Sequence, residues 1–170
     1  MQKIRSLYEI LACTAASLES PFLLAVRLYW GWQFMQTGWG KLGDVNKVTS
    51  FFTSLGIPAP ALNADVISAL EFGGGILLAI GLGSRLIAFL LASDMIVAFV
   101  IADREALFAM FSDPDKLYAA APYTFLIASL IIFIFGPGKL ALDTLIAKRF
   151  GYWPSPRDGS TKLAKLPGLT

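Results

Sequence analysis

The sequence predicts an all-α fold, a transmembrane four-helix bundle with an interfacial helix at its N-terminal end and another at its C-terminal end. Three observations predict it. Hydrophobic residues make up 56% of the 170 residues and charged residues only 15%, against about 25% charged in a soluble domain. The apolar residues gather into four long runs, each near the roughly 20 residues that a helix needs to cross a bilayer. Glycine and proline clusters punctuate the chain between those runs. Backbone groups in lipid must be paired within their own segment, so runs of this length are helices. A mean hydropathy of +0.65 agrees, and the length suits one domain.

Residues 1–19 place Ile4, Leu7, Tyr8, Leu11, Ala15 and Leu18 on one helical stripe, with Lys3, Arg5, Glu9 and Glu19 largely off it. That pattern predicts an amphipathic helix lying at the membrane interface. Glu9 interrupts the apolar core that a cleaved signal peptide requires. The membrane domain follows over 20–137. Its first span, 21–40, is unusually polar and holds Arg27, Gln33, Gln36 and Thr37. The loop 41–63 carries Phe51 and Phe52 ahead of Gly56-Ile57-Pro58-Ala59-Pro60, the pattern of a segment folded back onto the membrane surface. Span two, 64–82, contains Glu71. After a break at Gly83-Ser84, span three, 86–102, contains Asp94. A polar loop leads to span four, 117–135, which closes at Gly136-Pro137-Gly138. A second interfacial helix is expected within 138–153, with Lys148 and Arg149, and a disordered basic tail over 154–170. Small residues at Gly31, Gly38, Gly75, Ala79 and Gly83 read as places where helices approach closely.

Counting Lys and Arg orients the chain. One side would hold Lys3, Arg5, Arg85, Lys139, Lys148, Arg149, Arg157, Lys162 and Lys165; the other only Lys41, Lys47, Arg104 and Lys116. The positive-inside rule then puts both termini in the cytoplasm and the two long loops outside.

Composition also narrows the chemistry. With no histidine, a histidine-ligated haem is excluded and a metal site is not expected. With one cysteine, Cys13, neither a C-x-x-C redox pair nor an internal disulfide can form. Any electrons must therefore reside on a bound cofactor or on a partner. The net charge of +2, with its basic residues gathered late in the chain, suits a membrane surface rather than nucleic acid.

Three charged residues, Arg27, Glu71 and Asp94, fall well inside the spans. Each costs roughly 2.5–3.5 kcal/mol at a helix centre and calls for a partner. Measured at 1.5 Å per residue, Gln36 lies roughly 8 Å and Gln33 roughly 12 Å below Lys41, with Glu71 roughly 10 Å and Asp94 roughly 13 Å below their own outer ends. Tyr123 falls at the same level. Arg27 starts deeper, but its side chain is long enough to rise toward Asp94. The functional reading is a cavity opening outward, lined by these groups, in which Glu71 is the candidate proton donor or acceptor. The structural alternative is a set of interhelical hydrogen bonds and one Arg27–Asp94 pair that set the register of the bundle.

At the level of motifs, Arg27-Leu28-Tyr29-Trp30-Gly31, then Gly38 followed by Lys41-Leu42, then Phe51-Phe52 ahead of Leu55-Gly56-Ile57-Pro58 closely resemble DoxX-family membrane proteins. The likeness continues through Glu71-Phe72-Gly73-Gly74-Gly75, Gly81-Leu82 with Arg85, and Gly136-Pro137-Gly138-Lys139-Leu140 with Asp143, covering about residues 22–145. The resemblance implies a four-helix bundle of the bacterial inner membrane. The family is named for its similarity to a subunit of a thiosulfate:quinone oxidoreductase, and other members are linked to redox or oxidative-stress complexes. It marks Arg27, Lys41, Glu71 and Arg85 as candidate site residues. Asp103-Arg104-Glu105 and the loop 111–116 resemble a subgroup associated with metal-stress gene clusters.

Three functions are then weighed. The first is a quinone-linked subunit of a membrane redox or stress-response complex, with quinone as the cofactor and Arg27, Gln33, Gln36, Lys41, Asp94 and Tyr123 around the ligand. The second is a non-enzymatic membrane anchor or scaffold for a periplasmic or secreted partner. The third is a small transporter, which four short spans could form only as an oligomer. Membrane lipid and either a protein partner or further copies of the chain are the expected neighbours.

Overall fold

The computed structural model describes residues 2–150, with the side chains of 2–8, Ala12 and Phe150 left aside. The expected tail over 154–170 lies outside the described residues, as do the side chains of Ile4, Leu7 and Tyr8. Every regular element among the described residues is an α-helix.

Helix α1, Gln2–Gly43, runs unbroken for 42 residues, about 63 Å at 1.5 Å per residue. The interfacial helix and the first span expected on either side of position 20 are therefore one rod. Pro21 lies inside it. A proline removes one backbone bond, here to Ser17, and Ala, Leu and Ser on both sides keep the remaining ladder going. A span needs about 30 Å, so α1 extends well past the bundle, and Ile10, Leu11 and Leu18 are exposed there.

Helix α2, Val45–Ser54, occupies the loop that was expected to fold back on the surface. Asp44 caps it, its carboxylate accepting the Lys47 N–H at 3.1 Å. Phe52 is buried and Phe51 exposed. Helix α3, Pro60–Ile80, begins with proline, whose missing N–H costs nothing in a first turn. Gly81, at φ +77°, ends it. Helix α4 spans Ser84–Ile101. Two short helices follow, α5 at Arg104–Phe108 and α6 at Pro114–Ala119, then α7 at Ala121–Phe135 and α8 at Leu142–Phe150.

Helices α1, α3, α4 and α7 pack in a closed ring, each against the next. The glycines set the α1–α3 distance. A Cβ on Gly31 would lie 2.7 Å from the Gly75 carbonyl oxygen, and one on Gly38 would run into the backbone of Phe72. Phe34, Leu78, Ala88, Leu91, Met95 and Ile132 form the core between the four helices.

Among the described residues, three helices are long and apolar enough to cross a membrane. The fourth expected span differs. It is broken at Ala120, which is extended at ψ 125°, leaving α7 with 15 residues. Pro122 accounts for a new start here: it has no N–H to continue a ladder back to Tyr118, and it sits in the first turn of α7, where that N–H is not needed.

Candidate functional site: an ionisable cluster under helix α2

Lys41 ends α1, Glu71 sits midway along α3, and Asp94 lies roughly 10 Å in from the Ile101 end of α4. The Lys41 ammonium donates to Glu71 Oε1 at 2.7 Å. The Glu71 side chain is 3% exposed and that of Lys41 35%, so the pair bridges a dry interior and a wetter mouth. Asp94 is in electrostatic contact with both, its carboxyl against that of Glu71. Glu71 Oε2 and Asp94 Oδ2 are shut off from solvent without a hydrogen-bond partner among the described residues. A buried oxygen left in that condition carries a desolvation cost, of about 1–3 kcal/mol, that a donor would relieve.

These three side chains line a cavity of about 520 Å³. Helix α2 forms its roof, through Val48, Phe51 and Phe52, and Ile67, Met95 and Ile101 supply further apolar wall. An amphipathic chamber of that size, largely apolar with a few converging polar groups, has the usual form of a small-molecule site. No group of three or more His, Cys, Asp or Glu side chains able to hold a metal occurs among the described residues.

The layer expected from the sequence is only partly assembled. Lys41, Glu71 and Asp94 meet. Gln33 and Gln36 lie outside the chamber lining, Gln36 on an exposed face. Tyr123 packs instead with Phe99, Ala106, Leu117 and Ala120. Arg27 is fully buried at the far end of the bundle, roughly 21 Å along α1 from Lys41. Its Nη2 donates to the Leu140 carbonyl at 2.6 Å, and it faces Asp143. The expected Arg27–Asp94 pair does not form.

Reasoning from the sequence missed Asp143, which joins that far end together. Its two oxygens accept the Gly83 N–H at 2.8 Å and the Ser84 N–H at 2.9 Å, capping α4. In the sequence it stands only as part of a motif. The cavity roof was also missed, although the Phe51-Phe52 pair and the Asp44 cap were its signals.

Residues 22–104 match the family model described as DoxX. Over 125 residues the chain is 30% identical to a protein of Bacillus subtilis (strain 168) named "Putative oxidoreductase CatD", covering 74% of this chain and 87% of that protein. The chain belongs to the DoxX family. No solved structure matches it. In this DoxX protein the motif residues divide between the two ends of the bundle: Lys41 and Glu71 at the chamber, and Arg27, Gly81, Arg85, Gly136 and Asp143 at the opposite end.

Proposed function

We propose that this DoxX protein binds the head group of a membrane quinone in the chamber under α2 and acts as the quinone-linked subunit of a redox or stress-response complex in the bacterial inner membrane. The observation that carries the reading is the Lys41–Glu71–Asp94 cluster in a largely apolar chamber of about 520 Å³, which Asp44 and Lys47 also line. The residues fit a ring with two oxygens. Lys41 offers an ammonium donor, the orphaned oxygens of Glu71 and Asp94 offer places to hold or release a proton, and the apolar walls offer a surface for the ring. A quinone supplies electron-carrying capacity, and the chain's part is to seat it and to move protons at the carboxylates. The name of the Bacillus relative, an oxidoreductase, supports a redox role. The positive-inside count supports an orientation with the chamber toward the outer face and both termini in the cytoplasm.

The test is mass spectrometry of lipophilic molecules retained by the protein in mild detergent, wild type beside Glu71→Gln and Asp94→Asn. Quinone enriched in wild type and reduced at least about tenfold in still-folded variants is expected, the loss of roughly one charge-assisted hydrogen bond. Wild type carrying only bulk lipid would sink the reading. The exposed apolar overhang of α1 around Ile10, Leu11 and Leu18 then favours the second function, an anchor for a protein partner.

A further inference from the structure

We propose that the groove at the far end of the bundle, away from the chamber, binds one anionic phospholipid. The groove is a cavity of about 620 Å³ between the first turn of α4, the last turn of α7, the turn 136–139, α8 and the Ser20 region of α1. Arg85, Lys139 and Lys148 reach it, against Glu19 and Asp143. Both carboxylate oxygens of Asp143 are already committed, to the Gly83 and Ser84 N–H groups. The charge that remains for a ligand is basic.

Arg85 is held by the backbone beneath it. Gly136 sits at φ +82°, and a Cβ there would lie 3.1 Å from both Nε and Nη2 of Arg85. The guanidinium therefore lies over a glycine that leaves room for it. Its Nη2 reaches the Ile134 carbonyl only at 3.5 Å, too long for a good bond. A planar fork of donors in this position matches a phosphate.

The remaining walls decide between a lipid and a free phosphate. Leu86 and Phe135 line the groove and are 65% and 61% exposed, so it opens along the apolar flank of α4 and α7. An acyl chain lies along that flank while the phosphate meets the basic edge. A soluble anion would gain nothing from it. The position also agrees with a cytoplasmic face, where juxtamembrane basic residues meet anionic headgroups.

Native mass spectrometry of the full chain, released from nanodiscs of equimolar phosphatidylglycerol and phosphatidylcholine, tests this. Wild type should retain phosphatidylglycerol preferentially. Each basic side chain removed should lower that preference roughly fivefold, so Arg85→Gln with Lys139→Gln should lower it roughly 25-fold. Lys116→Gln, at the opposite end, should leave it unchanged. If the Arg85 variant does not fold, Lys139→Gln with Lys148→Gln, both exposed positions, must show a comparable drop. Equal retention of the two lipids by wild type, or an equal drop in Lys116→Gln, would overturn the proposal. Displacement of phosphatidylglycerol by inorganic phosphate would also overturn it, in favour of a soluble-anion site.

Discussion

Lys41, Glu71 and Asp94 come from three helices, and their closeness creates both the chemistry of the chamber and a cost in stability. Removing one member of a buried pair leaves the other uncompensated, at about 3–5 kcal/mol. Lys41 is about one-third exposed, so Lys41→Met should fall at the lower end, about 3 kcal/mol. Lys41→Met combined with Glu71→Gln should recover part of that loss, because Glu71 is then no longer a stranded charge and only the Asp94 carboxyl is left without the ammonium. Thermal unfolding in detergent across the four-member cycle measures the coupling. Additive losses would mean that the 2.7 Å contact contributes little. Arg27 is met only in part at its buried position: Nη2 donates to the Leu140 carbonyl and the charge of Asp143 lies near, while Nε and Nη1 have no hydrogen-bond partner among the described residues.

Among the elements, the contact between α1 and α3 controls the geometry of the cluster, because Lys41 and Glu71 lie on opposite sides of it. Gly75 is held against α1, where a Cβ would meet the Gly31 carbonyl oxygen at 2.6 Å. A backbone atom cannot give way as a side chain can. Gly75→Ala should therefore destabilise by about 1–3 kcal/mol, as overpacking does. Gly73, two residues earlier on the same helix, has nothing within 4 Å of its would-be Cβ. Gly73→Ala should raise stability by up to about 1 kcal/mol through helix propensity alone. The two substitutions share chemistry and helix, so opposite shifts in melting temperature isolate the packing effect. Equal shifts would place α1 farther from α3 than the structure does. The four-residue spacing of Gly75, Ala79 and Gly83 sets Gly75 apart from Gly73 in the sequence, but it does not say which helix Gly75 meets.

For the whole molecule, the proposed orientation has a direct consequence. With Cys13 replaced by Ser, a cysteine at Ser54, exposed on α2, should react with a membrane-impermeant maleimide in intact spheroplasts. A cysteine at Lys148, exposed on α8, should react only after the membrane is broken. The reverse pattern would invert the chain and move the chamber to the cytoplasmic side. The ring of four helices stands under either outcome, since the packing of α1, α3, α4 and α7 does not depend on which face is outside.

The sequence by itself determined the class of this protein, its apolar segments and the presence of charges within them. Each is a property of one segment, set by transfer free energy and by length. Membership of the DoxX family was also legible, in the order of its motifs. Which charges meet was decided only by the tertiary structure. Gln33, Gln36, Lys41 and Arg27 share one helix, but rotation about its axis and position along it send them to different surroundings. Arg27 finds its acceptor 113 residues away, and Asp143 caps a helix 59–60 residues earlier. Pairings across such separations depend on how helices dock, and docking here rests on backbone contacts at Gly31, Gly38 and Gly75 that no single segment encodes.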